Sequence, residues 1–257
     1  MRIGTVVTAC DLNPLYVDFI PIFIRAWKKV LPEAAVKIVL IADSIPAAMT
    51  DYAAHIEVMH PLQGVHTAFQ AQCVRLLYPR ECAETGAVII TDMDMIPLNR
   101  TYYVDSIKDI ADDAFVIYRG DLDLGKEIAI CYNAAAPATW RSIFGCESTA
   151  TILQKWHDRV IYSGVHGGLG WTTDQEILYT AIGEAVAGGC PIVYLTDAAT
   201  GYRRLDRIGW MIQDIAKVER FLKAGRFSDY HCLRPYSTYK DTNDRIVGWL
   251  EECNFSD

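Results

Sequence analysis

Apolar residues come in blocks whose spacing changes along the chain. Residues 3–9 form a mainly apolar run that ends at Cys10-Asp11 and predicts a buried first strand. In residues 15–31, Ile20, Phe23, Ile24, Trp27, Val30 and Leu31 recur at helical spacing, with Pro14 suited to a first turn and Pro21 predicting a kink. Residues 36–42 predict a second buried strand, closed by Asp43-Ser44. Residues 65–78 carry Phe69, Cys73, Leu76 and Leu77 on one helical stripe, and Pro79 stops it. A third apolar strand at 87–91 runs straight into Asp92-Met93-Asp94. Further strands are predicted at 114–118, 128–132 and 192–195, and helices at 149–160, 173–184, 211–223 and 240–252. Strands alternating with helices imply an α/β fold: a mainly parallel central sheet with helices on both faces. No repeat, low-complexity tract or linker divides the 257 residues, so a single domain is expected.

Composition narrows the possible partners. The chain is 51% hydrophobic and 22% charged, as expected of a globular protein, and its formal net charge is -8. That charge argues against a nucleic-acid partner, which would call for a basic face. No apolar run is long enough for a membrane span, and Met1-Arg2 leads into too short an apolar segment for a signal peptide. The eight cysteines form no CxxC pair, and several lie in apolar segments. They read as reduced, buried thiols in a cytoplasmic protein.

Asp92 and Asp94 are the sharpest chemical signal. In open α/β sheets the carboxyl ends of the strands face the ligand crevice. Alternation puts both acids on one side and Met93 on the other. Two carboxylates that close repel unless a cation neutralises them, and hard oxygen donors suit Mg²⁺ or Mn²⁺ shared with phosphates. The plain alternative is a pair of solvated turn acids, one capping a helix.

With these residues the chain resembles the GT-A fold glycosyltransferases, with some likeness to the glycogenin-like families. The likeness runs through Thr8-Ala9-Cys10, Arg75-Leu76-Leu77-Tyr78-Pro79, the strand with its Asp-x-Asp, Asn133-Ala134-Ala135-Ala136, Trp171-Thr172-Thr173-Asp174-Gln175 and Asp229-Tyr230-His231. It covers about residues 1–235, and only the strand with its Asp-x-Asp is fairly specific. Two departures stand out: no glycine follows Asn133 as the family pattern expects, and the glycogenin-like His-x-x-Gly-x-Lys-Pro ending is missing. The resemblance implies a Rossmann-like GT-A sheet, with residues 1–100 as a nucleotide-binding half and 101–257 as an acceptor-binding half. It implies a divalent cation, Mn²⁺ or Mg²⁺, held by Asp94, His231 and Asp92 against the donor diphosphate. Thr8, Ala9, Cys10 and Asp43 would line the base and ribose pocket beside Met93, and Arg75 would face phosphate or hold the Asp-x-Asp. Asn133 and Trp171 would lie on the acceptor side. The implied activity is transfer from a nucleotide sugar, a UDP-sugar first, to a hydroxyl of a carbohydrate or glycoconjugate.

Asp174 opens a predicted helix, where the dipole favours an acid, and is also the candidate general base for an inverting transfer. Asp121-Leu122-Asp123 is a second Asp-x-Asp but reads as a polar turn. Residues 164–171 form a glycine-rich loop without a P-loop lysine, read either as a mobile surface loop or as an acceptor platform carrying Trp171. Tyr202-Arg203-Arg204 reads as a solvated basic turn. Nucleotidyl transfer, which also sets acids at strand ends, is the competing enzyme class, but residues 6–14 lack the glycines of a triphosphate loop. A non-catalytic nucleotide- or carbohydrate-binding module is the third reading.

Overall fold

A computed structural model of the chain describes residues 1–255 except 84 and 123, and the backbone but not the side chains of 210 and 211. Its strands are β1 (Ile3–Asp11), β2 (Ala35–Ile41), β3 (Ile56–Met59), β4 (Ala87–Ile90), β5 (Met95–Pro97), β6 (Phe115–Ile117), β7 (Asn133–Ala135), β8 (Ile192–Tyr194), β9 (Arg203–Asp206) and β10 (Phe227–His231). Its helices are α1 (Pro14–Val17), α2 (Ile20–Val30), α3 (Thr67–Leu77), α4 (Arg100–Val104), α5 (Pro137–Phe144), α6 (Thr149–His157), α7 (Thr173–Ala187), α8 (Asp197–Thr200), α9 (Ile215–Lys223) and α10 (Tyr236–Glu252).

The strands form two sheets. The larger has the order β3-β2-β1-β4-β7-β6-β8, and the smaller the order β5-β10-β9. β1 pairs in parallel with β2 and β4, while β7 runs antiparallel to both β4 and β6. After β1 the chain passes to one side through β2 and β3, then returns to β4 on the other. A crevice opens where the order reverses, beyond the carboxyl ends of β1 and β4. β1 is buried along eight of its nine residues, which explains a continuous apolar strand rather than an alternating one.

Two large cores cover the sheet, with a small third cluster of Ala9, Val39, Ile41, Ala71 and Val74 between α3 and strands β1 and β2. One gathers α2 with Phe19, Phe23 and Trp27, and it also takes residues from β10 and α10. The other packs α3, α5 and α7 with Phe69, Trp140 and Leu178. Trp27 and Trp140 are fully buried, and truncating either to Ala would cost about 3–5 kcal/mol.

Two expectations are corrected. The predicted helix over 15–31 breaks after Val17, because α1 is capped by Asn13 and α2 restarts at Ile20 with Pro21 in its first turn. The apolar segment 128–132 is not a strand. The Asn133 amide donates to the carbonyls of Ala129 and Ile130 at 2.8 Å, holding that segment as a loop, and the strand begins at Asn133.

Candidate active site

The crevice is a cleft of about 280 Å³. It is lined from the end of β1 (Ala9, Cys10, Asp11), α1 and its cap (Asn13, Tyr16), and one face of α3 (Ala68, Ala71, Gln72, Arg75). The turn after β4 supplies Asp92, Met93 and Asp94, and the loop before β7 supplies residues 129–131. His166, Trp171, Asp174 and Gln175 come from the glycine-rich loop and the start of α7, and Arg204, Arg207, His231 and Arg234 from the small sheet and its flanks. Four arginines thus face four aspartates across one cleft.

The two acids of the Asp-x-Asp diverge. Residues 92–94 form a turn rather than a continued strand, closed by the Met95 N–H donating to the Asp92 carbonyl at 3.2 Å. Alternation therefore does not apply, and Met93 drops into the core. Asp92 pairs with the Arg75 guanidinium. Asp94 is 3% exposed and points the other way, accepting from Arg207 Nη1 at 2.6 Å, with Arg234 Nε 3.3 Å away. β10 pairs with β5 directly after this turn, which brings His231 Nε2 to 3.6 Å from the Asp94 carboxylate. Burial alone would raise the Asp94 pKa, but His231, Arg234 and Arg207 together hold it well below the carboxylate range. Burial would lower the pKa of His231, but Asp206 and Asp94 raise it above the ordinary imidazole value.

The residues suit a divalent cation in part from each side. Asp94 and His231 offer a hard oxygen and an imidazole nitrogen side by side. His231 Nδ1 is buried without a hydrogen-bond partner and lies 3.6 Å from the Asp206 carboxylate, just beyond hydrogen-bond reach. Among the described residues no three His, Cys, Asp or Glu side chains gather closely enough to enclose an ion. One or two protein donors completed by phosphate oxygens and water are how Mg²⁺-type sites are usually built, and on that basis the pair fits.

Arg75 is the hub of the opposite wall. It is buried on α3, donates to the Gln72 and Thr91 carbonyls, and bridges Asp92 to Asp174. Asp174 is 3% exposed, with Oδ2 2.8 Å from Arg75 Nη2 and Oδ1 accepting the Gln175 N–H at 3.0 Å. Burial pushes its pKa up to about 6, against the pull of Arg75. Each oxygen thus carries one hydrogen bond, on a side chain that is nearly excluded from solvent at the cleft wall. Trp171 lines the cleft through ring contacts with His166, at 4.6 Å between centroids, and with Tyr162.

Several expected residues fall outside the lining. Thr8 is fully buried on β1, its hydroxyl without a partner, while its neighbours Ala9 and Cys10 reach the cleft. Asp43 is almost fully exposed and faces His60 at 4.0 Å, so it has no part in the pocket wall. Asn133 is buried and shapes the 129–131 lining from behind. Asp121 caps the Asp197 N–H as a turn residue, and its partner Asp123 lies outside the described residues. Arg204 is not a solvated turn: it pairs with the buried Asp229 at 2.6 Å. Asn13, Tyr16, Gln72, Arg207 and Arg234 join the site without having been singled out by the sequence, while Asp11, His166 and Gln175 lay in segments that were singled out but had been given no role of their own. The former are isolated residues from distant segments, and only the Asp11–Asn13 cap beside Pro14 carried a local signal.

No family model matches the chain, and no curated protein matches it significantly. Solved structures do. A galactosyltransferase, LgtC, in complex with donor and acceptor sugar analogues, aligns over 98% of this chain and 97% of its own at TM-score 0.50 and 11% identity. The apo glycosyltransferase GlyE of Streptococcus pneumoniae TIGR4 aligns over 98% of this chain and 64% of its own, at TM-score 0.48 and 15% identity. A mannosyltransferase of Pyrobaculum calidifontis, in complex with GDP-Man and Mn²⁺, aligns over 98% and 73% at TM-score 0.45 and 13% identity. The likeness to LgtC, spanning nearly the whole of both chains, shows that this chain has the GT-A glycosyltransferase fold.

Proposed function

We propose that the protein is a glycosyltransferase that moves a sugar from a nucleoside diphosphate sugar, a UDP-sugar in the first instance, to a hydroxyl of a carbohydrate or glycoconjugate, with Mn²⁺ or Mg²⁺ as cofactor. The observation that carries this reading is the convergence of Asp94, His231, Arg207 and Arg234 at the switch point of a GT-A sheet. A cation bound by Asp94 and His231 would supply positive charge for the diphosphate as it departs. Arg207 and Arg234, set on the same carboxylate, add fixed cationic donors for phosphate oxygens. The Asp92–Arg75–Asp174 chain holds the opposite wall, and Trp171 offers a flat apolar face to a sugar ring.

The stereochemical outcome turns on Asp174. Because its side chain is buried and paired with the same Arg75 that holds Asp92, we assign it to positioning Arg75 rather than to taking the acceptor proton. This favours retention of the anomeric configuration over the inversion expected from the sequence. NMR of the product made from an α-linked donor decides it: an α product supports the positioning role, and a β product returns Asp174 to the base role.

The activity is tested with a panel of nucleotide sugars and Mn²⁺, scoring both thermal stabilisation and sugar release. A donor should raise the melting temperature and be consumed, and EDTA or Asp94→Asn should abolish turnover while circular dichroism stays unchanged. Asp121→Asn should cost little. If no nucleotide sugar stabilises the protein or is turned over, the reading fails. Turnover that is untouched by EDTA leaves the transferase reading standing and removes the cation.

A further inference from the structure

The loop that carries Trp171 is closed on itself and then fastened from outside by one side chain. The Ser163 N–H donates to the Leu169 carbonyl at 3.0 Å across the neck of residues 162–171. The Tyr162 and Trp171 rings at its two ends stack, with centroids 6.3 Å apart and planes at 22°. Gln72 of α3 meets both ends. Its Nε2 donates to the Trp171 carbonyl at 2.8 Å, and its Oε1 accepts from the Tyr162 hydroxyl at 2.7 Å.

The hydrogens are fixed by elimination. A carbonyl only accepts, so the amide nitrogen of Gln72 faces Trp171 and its oxygen faces Tyr162. The phenol must then donate, and burial, which pushes its pKa up, keeps its proton in place. The carbonyls on either side of Trp171 are taken locally: Gly170 accepts from Thr173, and Thr172 from Gln175 and Glu176. The Trp171 carbonyl between them is met by α3 instead. Tyr162 is only 8% exposed, with its ring set edge-on against Phe69 at 5.3 Å. Gln72 therefore ties one end of the loop to a phenol that the core already holds.

Gln72 and Arg75 stand at i and i+3 on α3 and so share one face. Arg75 Nε also donates to the Gln72 carbonyl at 3.2 Å. Arg75 holds Asp174 and Gln72 holds Trp171, so one helical face orders both ends of residues 171–174 at the cleft wall. We propose that Gln72 is a positioning residue for the acceptor: by joining Tyr162 to Trp171 it sets the indole as the wall against which the acceptor sugar is placed. This inference rests on the transferase reading above.

Gln72→Met keeps the bulk and removes both hydrogen bonds. In protein labelled with fluorotryptophan, the fluorine NMR line assigned to Trp171 by Trp171→Phe should shift or broaden in Gln72→Met, and the other tryptophan lines should stay in place. With the best of a panel of methyl hexopyranosides as acceptor, KM for that acceptor should rise about 10- to 100-fold, the span for two neutral hydrogen bonds, and kcat should change much less. The affinity for UDP with Mn²⁺, measured by calorimetry, should stay within about twofold of wild type. Tyr162→Phe keeps the ring stack, so it should raise KM by a smaller factor and add nothing in the Gln72→Met background. A Trp171 line or an acceptor KM that is unchanged in Gln72→Met overturns the inference, and so does an equal loss of UDP affinity, which would make Gln72 part of the general scaffold. If Gln72→Met does not fold, an unchanged acceptor KM in Tyr162→Phe overturns it. A wild type that binds no UDP and transfers to no methyl hexopyranoside overturns the transferase reading as well.

Discussion

Asp94 and Asp174 are both buried acids at one cleft, yet their surroundings push them apart. Asp94 meets two arginines and a histidine and stays ionised. Asp174 shares one arginine with Asp92, and burial lifts its pKa to about 6 from a usual 3.8. The consequence for stability has a definite sign. A carboxyl whose folded pKa is raised binds its proton more tightly in the folded state. Its contribution is fully present below pH 3.8 and is lost as pH rises through about 6. Asp174→Asn abolishes that dependence, whatever fixed cost the lost Arg75 charge pairing imposes. Relative to wild type the variant should therefore gain about 2 kcal/mol between pH 4.5 and 7.5. Melting curves of the two proteins across that range measure it, and parallel curves would show that Asp174 is ionised throughout. Such environments explain which residues the sequence could reveal. Asp92, Asp94, Arg75, Asp174, Trp171 and His231 sat in ordered motifs and do line the cleft. Thr8 and Asp43 came with the resemblance, but Thr8 is buried within β1 and Asp43 lies exposed beyond the end of β2. Tyr16, His166, Arg207 and Arg234 converge only in three dimensions, so no local pattern announced them.

At the scale of elements, β1, β2 and β4 were legible as unbroken or nearly unbroken apolar runs, and α3 by its helical stripe. β5, β9 and β10 were not: β5 follows the Asp-x-Asp and ends in a proline, β9 is mostly charged, and Asp229 and His231 break the apolar run of β10. Yet this small sheet sets His231 against Asp94. The glycine-rich loop is the other element whose role depends on shape. Gly170 has φ +76°, and a methyl group there would lie 2.5 Å from the Ile161 carbonyl oxygen. Gly170→Ala cannot keep this backbone without strain of about 1–2 kcal/mol and must shift the residues that follow it. Trp171 and Asp174 are those residues. The variant should lose at least tenfold in kcat/KM for the acceptor while the affinity for pyrophosphate stays within about twofold of wild type. Equal losses in both would mean that the whole cleft had collapsed, and unchanged kinetics would remove the loop from the acceptor side.

The whole molecule constrains how that cleft can respond to ligand. Its lining begins at Ala9 and ends at Arg234, and the core around α2 draws on residues from Ile3 to Leu250. A nucleotide half at 1–100 and an acceptor half at 101–257 are therefore not separable cores: β4 of the first half is bonded to β7 of the second, and β5 to β10. Neither half buries its apolar faces alone, so the chain is expected to unfold as a unit. Urea titrations followed by tryptophan fluorescence and by circular dichroism should give coincident midpoints. A bound donor stabilises the folded state by RT ln(1 + [L]/Kd), about 2.7 kcal/mol at a hundredfold excess over Kd. Because the cleft is built from both sheets, a nucleotide with Mn²⁺ should move both midpoints together, by that free energy divided by the urea m-value. If the small sheet were an independent unit, the fluorescence and dichroism curves would separate without ligand and close up with it. That outcome would make the assembly of His231 against Asp94 a consequence of donor binding rather than a property of the folded chain.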